Sequence, residues 1–216
     1  MDSAAAAHPA ADCVVLVPVK AFGAAKARLA SVLSPAHREA LARWSAERVV
    51  AAAGELPVYV ACDSDDVAEW ATSRGASVLW RPGTGLNAAV ASSVAELAER
   101  GARHVVVAHG DLPRAERLAR FAQRYDGIVL VPDAALDGTN VAVVPARVAF
   151  PFAYGAGSFR RHLHAAIATG CAVTVCRDPL LALDLDTPTD LTHPLVQEVL
   201  PEWLPTSLAN QRPNQT

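Results

Sequence analysis

Three short stretches concentrate the side chains able to do chemistry. In the first, Val17-Pro18-Val19-Lys20-Ala21-Phe22-Gly23-Ala24-Ala25-Lys26-Ala27-Arg28-Leu29, three cations follow an apolar run. Cations clustered where a strand ends suit a polyphosphate. The 19 basic residues of the chain include only two lysines, Lys20 and Lys26, and both fall here. Where arginine serves for generic positive charge, a retained lysine points to a need for a compact ammonium. The plainer alternative is a solvated basic loop. In the second stretch, His109-Gly110-Asp111-Leu112-Pro113, a carboxylate follows another apolar run. Asp111 is placed either to hold a divalent cation, with Gly110 admitting close backbone approach, or to cap a helix opened by Pro113. In the third, Leu183-Asp184-Leu185-Asp186-Thr187-Pro188, two aspartates alternate along an expected strand and so share a face. Carboxylates in that position repel one another unless a cation lies between them, and Mg2+ favours a few carboxylates together with phosphate oxygens. Thr187 and Pro188 read as the N-cap and first position of a final helix.

Three further turns carry weaker signals. Gly85-Leu86-Asn87 leads into a helix, where Asn87 is either a cap or an amide able to read a base edge. Asp137-Gly138-Thr139-Asn140 is either a tight turn or a place where Thr139 and backbone amides hold an anion. Gly155-Ala156-Gly157-Ser158 opens a helix, an anion-binding geometry reinforced by Arg160, Arg161 and His162. No P-loop, dinucleotide fingerprint, G-x-S-x-G or H-E-x-x-H occurs, and no nucleophile stands beside an evident base.

The elements that must position these groups alternate. Strands are expected at 13–19, 58–62, 77–80, 104–108, 128–131, 141–144, 172–176 and 181–185. Helices are expected at 35–53, 64–75, 86–100, 114–124, 158–169 and from Pro188. Strands separated by helices of this length make βαβ units, hence a three-layer α/β domain on a mainly parallel sheet. Ligands of such sheets bind beyond the carboxyl ends of the strands, which is where the first two stretches lie. Residues 1–12 read as an N-terminal tail, 13–200 as the domain and 201–216 as a C-terminal tail.

Composition agrees. The chain has 216 residues, 52% of them hydrophobic and 19% charged, enough for one domain with a substantial core. A net charge of -3 argues against a nucleic-acid binder that works through a basic surface. No apolar run approaches membrane-spanning length, and the first residues lack the basic start of a signal peptide. Cys13, Cys62, Cys171 and Cys176 lie in apolar stretches without metal spacing, and read as buried free thiols of a cytoplasmic protein.

Taken in order, VPVK-x5-AK-x-RL, GLN, GDLP, PD-x3-DGTN, G-x-GS and LALDLDTPTDL resemble the 2-phospho-L-lactate and phosphoenolpyruvate guanylyltransferase family of coenzyme F-420 biosynthesis, over roughly residues 13–195. The resemblance implies a Rossmann-like nucleotidyltransferase fold with a mixed sheet. It also implies transfer of GMP from GTP to a phosphorylated three-carbon acid with release of pyrophosphate. By the same resemblance Lys20, Lys26 and Arg28 hold the triphosphate, Leu86 and Asn87 lie near the guanine, and Thr139, Gly155 and Ser158 hold the acid. Asp111, with Asp184 or Asp186, binds Mg2+. A homodimer and hand-over of the product to a following transferase are further expectations; nucleic acid and membrane are not. Relatives acting on sugars or the molybdenum cofactor carry an L-A-G-G-x-S type of first loop, which VPVKAFGAAKARL does not match. A non-catalytic nucleotide-binding module would have little need of the three aspartates.

Overall fold

The computed structural model describes residues 11–122 and 127–205. Among them a seven-stranded sheet is built from β1 (Cys13–Pro18), β2 (Val58–Cys62), β3 (Ser77–Trp80), β4 (His104–Ala108), β5 (Ile128–Pro132), β6 (Thr139–Pro145) and β7 (Val173–Val175). The strand order is β3-β2-β1-β4-β6-β5-β7. Only β6 runs antiparallel to its neighbours β4 and β5, so the sheet is mixed and mainly parallel.

The uninterrupted apolar strands are those of a sheet covered on both faces. Val14 and Leu16 of β1 pack with α3 (Gly85–Glu99) and α4 (Ser158–Ala168). Cys13, Val15 and Val17 face the other way, towards Val49 of α1 (Pro35–Ala52) and the segment around Leu118 and Phe121. A third cluster seats α2 (Asp65–Ser73) through Val67 and Trp70. Three layers result. Helix α1 starts as its sequence predicts, with Ser34 Oγ accepting from the His37 amide at 3.2 Å and Pro35 in the first turn. Ser64 stands at the start of α2, but its hydroxyl bonds Asp66 instead of capping a backbone amide.

Three expected elements differ. Of the helix expected at 114–124, the described residues 114–122 form only a 3-10 turn, Leu118–Ala122, preceded by Arg117 at φ +50°. The buried residues Leu112, Ala115, Leu118 and Phe121 recur every three positions, which fits a three-residue turn better than the 3.6-residue period of an α-helix. Gln123 and Arg124, the end of that expected helix, lie outside the described residues. Residues 181–185 form no strand. Their backbone bonds go elsewhere: Asn140 Nδ2 donates to Leu181 O at 2.9 Å and Leu185 N to Asp111 O at 3.1 Å. The helix from Pro188 is replaced by a 3-10 turn, Asp190–Thr192, and a single turn, α5 (Pro194–Gln197). Pro194 supports the restart, having no amide to donate to a continuing helix. Two of the four thiols, Cys171 and Cys176, are only half-buried, and all four are free.

A fourth cluster bears directly on function. Leu29 and Leu33 from the first loop region, Leu41 of α1, and Leu183, Leu185, Leu191, Val196 and Leu204 close on one another. At about 1.5–3 kcal/mol for each buried leucine, this cluster is strong enough to hold two irregular segments together.

Candidate active site

The alternation Leu183-Asp184-Leu185-Asp186 works as expected although the segment is not a strand. The leucines enter the fourth cluster and the aspartates turn towards the carboxyl ends of β1 and β4. Asp190 fixes the following turn: its Oδ2 accepts from the Asp186 amide at 2.9 Å and from the Thr187 amide and hydroxyl. Asp190, not Thr187, is therefore the capping side chain here. Asp111 caps no helix either, because none begins after Pro113. Carboxylate oxygens of Asp111, Asp184 and Asp186 lie within 4.8 Å of one another.

Opposite them stands Lys26, with its backbone left-handed at φ +57° and its side chain 5% exposed. Its Nζ is 3.5 Å from Asp111 Oδ2 and 3.5 Å from Asp186 Oδ1. Arg28, exposed, reaches within 3.8 Å of Asp186 Oδ2. Leu29 is wholly buried against Leu183 and Leu185, so one cluster brings the cation loop to the aspartates. Between the two sides opens a cleft of about 390 Å³, lined among others by Lys20, Phe22, Leu86 and His109. Lys20 and Leu86 also border a smaller adjoining cavity of about 70 Å³ with Asp63 and Thr84.

The charges are tuned by this crowding. Burial and the neighbouring charges of Asp111 and Asp186 push the Asp184 carboxyl up to about 7. Burial also works against the Asp111 charge, but the Lys26 ammonium and then His109 hold its carboxyl below the usual range. Burial keeps His109 below the ordinary imidazole value. Among the described residues, Asp111 Oδ1 and His109 Nε2 are buried with no hydrogen-bond partner. An anionic oxygen in that state calls for a cation, and a set of hard carboxylate oxygens fits a divalent ion such as Mg2+.

Not every expected residue meets the cleft. Asn87 does not cap α3; its Oδ1 accepts from the Tyr154 amide at 2.7 Å and ties α3 to the 153–157 loop. Thr139 and Ser158 are 3% and 2% exposed and meet each other, the Thr139 amide donating to Ser158 Oγ at 3.1 Å. Gly155 and Gly157, at φ +112° and +70°, make the turn into α4, a backbone that side chains rarely adopt. The start of α4 is already held by the chain: Asp137 Oδ2 accepts from the Gly157 amide at 2.9 Å, and Asp137 O from Phe159. Arg161 folds back onto the Ala153 and Ala156 carbonyls. Gly110 has no steric necessity, since a Cβ there would meet Val19 Cγ2 at an ordinary 3.4 Å. The sequence signalled neither His109, whose ring borders the cleft, nor Asp190; the latter could have been found from the D-T-P-T-D spacing, an aspartate four residues beyond Asp186.

A mixed sheet in three layers, with cations and carboxylates converging beyond β1 and β4, defines the Rossmann-like nucleotidyltransferase class. Solved structures agree on the fold. A nucleotide-diphospho-sugar transferase from Desulfovibrio desulfuricans G20 superposes with a TM-score of 0.70 at 17% identity, over 84% of this chain and 85% of that one. A nucleotidyl transferase from Methanothermobacter thermautotroptrophicus gives 0.59 at 15% identity, over 82% and 93%. The family model for "Guanylyl transferase CofC like" matches residues 13–198, and the chain belongs to that family. Curated relatives include the phosphoenolpyruvate guanylyltransferase of Rubrobacter xylanophilus, 39% identical over 82% of this chain and 91% of the relative. The 3-phospho-D-glycerate guanylyltransferase of Phenylobacterium zucineum is 35% identical over 77% and 82%, and the 2-phospho-L-lactate guanylyltransferase of Methanoregula boonei 32% over 82% and 79%. Among the described residues no helix is long and apolar enough to cross a membrane.

Proposed function

We propose that this guanylyltransferase transfers GMP from GTP to a phosphorylated three-carbon acid, phosphoenolpyruvate first and 2-phospho-L-lactate second, and releases pyrophosphate. The observation that carries this reading is Lys26, almost wholly buried and 3.5 Å from both Asp111 and Asp186, with Asp184 beside them. Cations and carboxylates meeting in a cleft suit a ligand that is itself anionic and metal-bound. The similarity to relatives named for phosphoenolpyruvate supports this order of acceptors. The activated acid would then pass to a following transferase, as coenzyme F-420 biosynthesis requires.

In this reading an oxygen of the acceptor phosphate bonds the α-phosphorus of GTP as the bond from that phosphorus to the β-bridging oxygen breaks. The acceptor phosphate is already ionised, so no general base is needed, consistent with the missing nucleophile-and-base pair. Lys20, Lys26 and Arg28 bind the triphosphate and offset charge building on the leaving pyrophosphate. Leu86 packs against the nucleoside, and Asn87 acts indirectly, by anchoring the loop that begins at Ala153. By the resemblance to the family, Thr139, Gly155 and Ser158 orient the acid, although the fold keeps both hydroxyls covered. Asp111, Asp184 and Asp186 would hold Mg2+, which when bound supplies charge stabilisation to the phosphate oxygens. A cation held there would offset the mutual repulsion of the three carboxylates.

The test is pyrophosphate release with GTP and Mg2+, run separately with phosphoenolpyruvate, 2-phospho-L-lactate and 3-phosphoglycerate, with ATP and CTP as nucleotide controls. Release with GTP and one acid is expected, and Asp111→Asn should abolish it while the protein stays folded. Silence with every acid despite GTP binding would overturn the reading.

A further inference from the structure

His162 lies wholly inside the protein on α4, among Phe150, Phe152 and Tyr154, and borders neither cavity described above. Both ring nitrogens are nonetheless engaged. Nε2 is 2.8 Å from the Ala153 amide nitrogen, and Nδ1 is 3.0 Å from Thr139 Oγ1. The amide can only donate, so Nε2 must be the bare nitrogen and accept. A neutral ring then carries its proton on Nδ1, and Thr139 Oγ1 must accept from it. The hydroxyl proton of Thr139 therefore cannot point at His162. Ser158 is in the same position: its Oγ accepts from the Thr139 amide at 3.1 Å. Both hydroxyls are buried, and among the described residues neither has an acceptor for its proton. Two adjacent, buried, unspent O–H donors are the complement of an anionic oxygen.

We infer that His162 is a positioning residue for the acceptor: through its Nδ1–H it fixes Thr139 as a hydrogen-bond donor, which with Ser158 presents two O–H groups to a phosphate or carboxylate oxygen of the acid. This rests on the proposal that Thr139 and Ser158 hold the acid, and adds how they are made to do so. Burial, then the nearby Arg161 charge, holds the imidazole at about 4, so the ring keeps its single proton throughout the neutral range.

Two variants separate positioning from packing. His162→Asn can still place an N–H where Nδ1–H was, but loses the bond from Ala153. His162→Gln can accept from Ala153, but loses the donor to Thr139. Both remove ring volume from the same site. With steady-state pyrophosphate release, His162→Gln should raise KM for the acid about tenfold, the cost of misorienting a buried hydrogen bond, with KM for GTP within about twofold. His162→Asn should stay within about threefold of wild type for both substrates. Equal rises in the two variants, or a parallel rise in KM for GTP, would overturn the inference. The ring tautomer offers a readout that needs no turnover: 15N spectra of the wild type should show a protonated Nδ1 and a bare Nε2, and the reverse would overturn it. A wild type that turns over no acid would defeat the acceptor reading, while these spectra would still decide whether His162 fixes the hydroxyl.

Discussion

Asp184→Asn should make the metal-free protein more stable while removing its function. In the unfolded chain this carboxyl ionises near 3.8; in the fold, burial and then Asp111 and Asp186 hold it to about 7. Between those values the folded state keeps a proton that the unfolded state has lost. Stability therefore falls as pH rises through this window, and the loss is complete by about pH 8. A difference of about three units corresponds to about 4 kcal/mol at 1.36 kcal/mol per unit. Solvent reaches part of this half-buried carboxyl, and screening brings the figure to about 2 kcal/mol. Asparagine has the same shape and cannot ionise, so the variant escapes the loss. Its melting temperature without metal should exceed that of the wild type by about 4–8 °C at pH 8 for a domain of this size, with a smaller gap at pH 5. Melts followed by circular dichroism in chelator, at both pH values and then with Mg2+, measure it. Adding Mg2+ should raise the wild type more than the variant, since a removed ligand weakens the site. A variant that melts at or below wild type at pH 8 in chelator, or a gap that does not widen from pH 5 to pH 8, would refute the electrostatic account of these carboxylates.

Lys26→Ala should slow pyrophosphate release at least about a hundredfold and raise KM for GTP, read by steady-state kinetics; unchanged constants would leave Lys26 only a structural counter-charge to Asp111 and Asp186. Leu185→Ala, which touches no substrate, should cost about 2–4 kcal/mol in urea unfolding and also lower kcat, because the cavity loosens the aspartates on either side. Gly127→Ala should destabilise by about 3 kcal/mol in the same assay, since a Cβ there would lie 2.1 Å from the Ala172 carbonyl oxygen; a wild-type midpoint would contradict that close approach. The depressed imidazole of His162, facing Arg161 and His109, binds its proton more weakly folded than unfolded, so stability should fall by about 3 kcal/mol as pH drops from 6.5 to 4, and His162→Asn should lose that slope.

The residues that could be read early are those whose role is carried by local pattern. VVLV and HVVVA could only be strands covered on both faces, and the groups just past them had to lie at the ligand edge of the sheet. Lys20 and Lys26 stood out because arginine had taken every other basic position. The pairing of Asp184 with Asp186 was legible from alternation alone, which holds for any extended backbone, so the missing strand at 181–185 did no harm. What could not be read depended on distant partners. Arg114–Arg124 looks helical until Arg117 turns left-handed and the three-residue spacing of buried groups is laid against the sheet. Asn87 offered a cap or a base reader; its partner is the Tyr154 amide, 67 positions away. His162 reads in the sequence as a charge beside the α4 turn, but it is buried and its imidazole is held at about 4, so it is neutral; its meaning comes from two bonds, to Ala153 and to Thr139, that no local pattern encodes.

The fourth leucine cluster has a consequence for synthesis. The Lys26–Asp186 contact spans 160 positions, and the residues that bring its two ends together include Val196 and Leu204. A ribosome finishes β1 and the cation loop early, yet the carboxylate side of the cleft can close only when Leu191, Val196 and Leu204 have left the exit tunnel. Until then Leu29 has only Leu33 and Leu41 of its cluster beside it, and Lys26 has only Asp111 of its two carboxylate partners. The growing chain can complete β1 to β4 and their helices as a folded platform. Competence for nucleotide chemistry should arrive in one late step, so incomplete chains would present a sheet without a site.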